Sequence, residues 1–68
     1  MFEVGDEVVV IGKTVSGHFL KIGTIALVVG IRGGFYDLIG VSVFGNTLQQ
    51  GLNISDIRPT TPLDKAMR

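Results

Sequence analysis

Little in this chain could do chemistry, and the few exceptions sit close together near its start. Ser16 and His18 have the spacing at which an imidazole can serve as base to a hydroxyl. Nucleophilic catalysis also needs a group that orients the imidazole and donors that hold an oxyanion. The stretch from Lys13 to Ile22 contains no acid and no oxyanion motif, so His18 reads as a solvated loop histidine. Asp6 and Glu7 are adjacent carboxylates, but neighbouring strand residues face opposite sides and cannot share a proton or a metal. Asp6 is better read as a turn former and Glu7 as an exposed strand residue. Gly12-Lys13-Thr14 echoes the end of a phosphate-binding loop but lacks the earlier glycine and the following helix that make the cradle. With a single histidine and no cysteine, a zinc site would rest on scattered carboxylates. No enzyme, cofactor or metal centre is expected.

The elements that carry these residues read as short strands. Glu7-Val8-Val9-Val10-Ile11 is β-branched after a Gly5-Asp6 turn signal, which predicts a strand over 7 to 11. Gly12 ends it, and a long loop reaches Gly23. A second strand is predicted from about Thr24 to Ile31, with Ile25, Leu27, Val29 and Ile31 on one face and Ala26 and Val28 on the other. Arg32-Gly33-Gly34 forms a tight turn, because adjacent glycines supply the positive φ angles that hairpins require. The third strand is read from Phe35 to Phe44, with Gly40 as a bend or bulge. Phe35 and Phe44 are assigned to the core, since a small barrel needs large side chains to fill it. Gly45-Asn46 turns into a strand near 47 to 52, followed by one helical turn and a brief last strand up to Pro59. Residues 60–68 form a tail that is frayed, or helical on contact.

Size and composition narrow the function. The chain has 68 residues, enough for one domain, and a domain this short buries only ~60% of the surface exposed by its unfolded chain. Hydrophobic residues make up 46% and charged residues 18%, and both strand faces are apolar, which favours a second buried surface in an oligomer or with a partner. Formal net charge is zero and the cations are dispersed, so nonspecific hold on nucleic acid is expected to be weak. No apolar run approaches the ~20 residues that span a bilayer. A cysteine-free chain with no basic, signal-like start is expected in the cytoplasm.

The glycine and valine placements resemble an SH3-like β-barrel of the KOW type. Gly5, Asp6, Val8 and Val10 match that family's Gly-Asp-x-Val-x-Val strand, and Gly23, Ile25 and Val28 its Gly-x-Val-x-x-Val. Tyr36 to Phe44, the Gly45-Asn46 turn and Asp56-Ile57-Arg58-Pro59 look like its closing half. The chain is also similar to small stand-alone accessory proteins of bacteriophages and mobile elements. The oligomeric type II dihydrofolate reductases share such a barrel, but their Val-Gln-Ile-Tyr strand has no counterpart here; the nearest segment is Thr47-Leu48-Gln49-Gln50. The resemblance implies an all-β fold: a small five-stranded SH3-like barrel over 1–59, closed on itself, with a short C-terminal tail. It implies no activity.

The expected function is noncatalytic: protein binding or self-association, in the manner of an accessory protein that modulates a larger one. Phe19, Leu20 and Ile22 in the long loop, with Tyr36 beside a hairpin turn, are the candidate protein-contact residues, the alternative for Phe19 and Leu20 being a lid folded back on the barrel. The alternative is a KOW-like nucleic-acid-binding module that uses Lys13, Lys21, Arg32 and Arg58 on phosphates and Tyr36 for stacking. The partner is accordingly a protein or a second copy, with nucleic acid less favoured and no membrane.

Overall fold

The computed structural model describes residues 2–13 and 17–67. Strands β1 (Glu7–Val10), β2 (Ile25–Arg32), β3 (Phe35–Val41), β4 (Thr47–Asn53) and β5 (Ile57–Pro59) form one antiparallel sheet in the order β4-β3-β2-β1-β5. A 3-10 turn, Ile54–Asp56, links β4 to β5, and a short helix α1 (Pro62–Ala66) follows.

The sheet is open, which corrects the expectation of a closed barrel. β4 and β5 lie at opposite ends of the strand order, and no ladder among the described residues joins them. The physical reason lies in β5. It has three residues, all of them paired with β1, and its last is Pro59, which has no N–H to offer another strand. The 3-10 turn before it is held by the Asn53 side chain, which accepts from the Ser55 N–H. The chain thus steps across to β1 without pairing with β4.

One face of the sheet carries the core: Val8, Val10, Ala26, Val28, Tyr36, Leu38, Leu52 and Ile57, joined by Leu20 from the β1–β2 connection. Phe2 and Leu48 pack against its margin, Phe2 meeting the Tyr36 ring edge-on at 5.6 Å. The period of two explains which residues take part. β1 pairs with β2 through Val8↔Ala26, and β2 with β3 through Val28↔Leu38, so these side chains share a face. Ile25 and Leu27 fall on the other face and are only partly covered.

The irregularity expected at Gly40 lies elsewhere. The register shift is in β2, between Val28 and Gly30, and Gly40 pairs regularly with Leu48. Gly40 answers a packing demand instead: a Cβ there would sit 3.0 Å from the Ala26 Cβ and 3.6 Å from a Leu20 methyl. β3 ends at Val41 rather than 44, because Ser42 turns inward and bonds Asn46 through both backbone and side chain. Phe44 then lies in the turn at 77% exposure, and Phe35 is 41% exposed, so neither fills the core. Short aliphatic side chains and Tyr36 do so.

Candidate contact site

The long β1–β2 connection alternates between burial and exposure, and His18 is the reason. Its ring is 2% exposed; Nε2 donates to the Gly12 carbonyl at 2.6 Å, while Nδ1 accepts from the Leu20 N–H at 3.1 Å. These bonds are compatible with a neutral imidazole protonated at Nε2. His18 is therefore a structural clasp rather than the solvated loop histidine expected. It draws the connection onto the sheet, where the Lys21 N–H bonds the Val41 carbonyl and the Val43 N–H the Phe19 carbonyl, both at 2.8 Å. Ser16, the hydroxyl weighed above as a nucleophile, lies outside the described residues, as do Thr14 and Val15.

This clasp divides the expected contact residues. Leu20 is fully buried and Tyr36 is 6% exposed, so both belong to the core and present no side-chain surface. Phe19 and Ile22 point outward, each about half exposed. Phe19 meets Phe44 with ring centroids 5.9 Å apart, and its backbone N–H is held by the Gln50 Oε1 of β4. Sequence reasoning missed Phe44 by extending β3 through it.

A second exposed apolar region covers the side of the sheet away from the core. Buried Val9 of β1, partly covered Ile25 of β2 and Ile39 of β3, and exposed Leu27 and Val41 line a groove of about 630 Å³ together with Asp64 and Met67. The Leu27↔Ile39 pairing places two of these side chains directly across neighbouring strands. Farther along, Phe35 continues this exposed apolar surface beside the β2–β3 turn, whereas Ile31, also exposed, lies opposite Tyr36 at the margin of the core side.

Helix α1 is tied to the β5 side of this face. Arg58 reaches both Asp64 carboxylate oxygens, at 2.9 and 3.0 Å, and Thr61 and Asp64 cap the helix reciprocally. The Arg58 hydrogen bonds, helped by the Thr61 N–H, hold the Asp64 carboxyl well below the usual carboxylate range. Pro62 at the first helical position completes the start.

The cations of the alternative reading are not gathered into a patch of free charge. Arg32 pairs with Asp37 at 3.0 Å and Arg58 with Asp64, leaving Lys13 and Lys21 of that set exposed in the connection. Among the described residues no group of His, Asp and Glu could hold a metal ion, and no helix is long and apolar enough to cross a membrane.

Comparison of the chain with protein-family models, curated proteins and solved structures finds no match. With the sheet open, the resemblance to an SH3-like or KOW-type barrel is not retained, and neither is the likeness to accessory proteins that rested on it.

Proposed function

We propose that this chain is a noncatalytic contact module that associates with a second copy of itself. The observation supporting this reading is the apolar side of the sheet opposite the core, where Leu27, Phe35 and Val41 are exposed in a chain of few charges. A domain this small gains proportionally more from covering such a face than a large one does. Zero net charge adds no long-range repulsion between copies. A cytoplasmic setting accompanies the reading, resting on the cysteine-free composition.

Nucleic-acid binding is the weaker alternative, since Arg32 and Arg58 already face carboxylates. Sedimentation over a wide concentration range tests the proposal. The expected result is a mass above the 7.3 kDa protomer that rises with concentration, reduced by Leu27→Glu with Val41→Glu. A species that stays at protomer mass throughout overturns self-association, and a stable complex with a different protein would then identify a foreign partner.

A further inference from the structure

The outer edge of β4 has no backbone partner. β4 pairs with β3 without a break from Thr47 to Asn53, and no backbone hydrogen bond among the described residues runs from it to any other segment. In such a ladder, alternate residues direct their N–H and C=O groups away from the neighbouring strand. Edge strands are normally blunted by charge, proline, a bulge or shortness. β4 has none of these: it is seven residues long, reads Thr-Leu-Gln-Gln-Gly-Leu-Asn, and keeps a regular register.

A second observation lies beside its midpoint. The exposed Phe19–Phe44 pair is anchored there by the bond from the Phe19 N–H to Gln50. An open row of backbone donors and acceptors thus adjoins an exposed aromatic pair.

We propose that β4 pairs antiparallel with β4 of a second copy, about a two-fold axis at Gln50. This rests on the self-association proposed above and adds an edge contact to it, separate from the apolar face of Leu27 and Val41. The segment is self-complementary in that register. Thr47 lies opposite Asn53 and Leu48 opposite Leu52, while Gln50 lies opposite its own counterpart, so no charges are apposed. The Phe19–Phe44 pairs of the two copies then approach from either side of the axis and supply apolar contact beside the new ladder. A two-fold interface uses the same patch on both copies, as this one does. The product is one continuous antiparallel sheet with its former β4 edges sealed.

Single-cysteine cross-linking and hydrogen exchange test this together. The natural chain has no cysteine, so each variant has one thiol only. Under mild oxidation, Gln50→Cys is expected to give a covalent dimer severalfold faster than Ile31→Cys, because directly opposed strand residues lie within disulfide reach. In the unmodified chain, alternate β4 amides are expected to exchange severalfold more slowly at concentrations where the mass is dimeric. If the mass rises while β4 exchange is unchanged and cross-linking favours Ile31→Cys, the β4 proposal fails and self-association stands. If the mass never exceeds the protomer, both fail.

Discussion

The two edges of the sheet show opposite ways of ending one. β5 is short, finishes on Pro59, and is flanked by a helix that Arg58 ties down through Asp64. β4 is longer, uncharged and unbroken in register, with an aromatic pair at its side. An edge with missing donors and a docked helix is a poor template for another strand; one with a regular row of donors and acceptors is a good one. The contrast shows that an open sheet need not be equally open at both ends. It also ranks what substitutions should do, because some residues beside β4 hold the fold together and others only meet a partner.

The largest effect is expected where the connection beside β4 is core. Leu20→Ala should lower stability by roughly 2–5 kcal/mol, since it empties a fully buried site against Gly40 and Ala26. Urea denaturation reads this directly, and a change under 1 kcal/mol would mean that the connection contributes no core. His18→Ala comes next, at about 2 kcal/mol, because the Gly12 carbonyl and the Leu20 N–H both lose a partner.

Phe19→Ser and Gln49→Lys should sharpen the contrast by separating fold from association. Gln49 is exposed, so its variant should keep its stability within about 0.5 kcal/mol, and Phe19→Ser, which gives up the ring contact with Phe44, should cost about 1 kcal/mol, well below Leu20→Ala. Each should nevertheless shift sedimentation toward the protomer, Gln49→Lys by placing charge on the β4 edge. Dimerisation that survives Gln49→Lys unaltered would count against β4 as the meeting edge.

The smallest effect belongs to the β5 side and is local. The folded Asp64 carboxyl has a lowered pKa, so its contribution is fully present above the ordinary carboxylate value of ~4 and is lost as pH falls toward the folded value. Amide protection over 63–66, taken relative to the intrinsic exchange rate at each pH, should therefore fall on acidification, and Asp64→Asn should reproduce the loss at neutral pH. Protection over 63–66 that is the same at both pH values would show that the ion pair does not hold the helix.

How much of this was legible beforehand differed from residue to residue. The alternation read for β2 set Ile25 and Leu27 apart from Ala26 and Val28 correctly, but it failed beyond Val28, where the register shift brings Ile31 opposite Tyr36 on the core side. Phe44 was misjudged, because its apolar character fitted an extended β3 that Ser42 and Asn46 cut short. His18 gave no signal at all. Its burial depends on the Gly12 carbonyl and on the Leu20 N–H, and their placement is set by how the connection folds back. Among the expected contact residues, Leu20 differs from Phe19 only in which side of that folded-back segment it faces.

Local pattern alone determined the number and order of the strands, the glycine turns between them, the 3-10 turn before the last strand and the scarcity of reactive groups. Each of these follows from backbone preference and side-chain alternation over a few residues. Only the tertiary structure decided that the sheet stays open, that His18 is a clasp, and that β4 rather than β5 is left as the bare edge. These outcomes depend on which distant backbone groups meet, and a Pro59 that ends one strand acts on pairing choices tens of residues away in the chain.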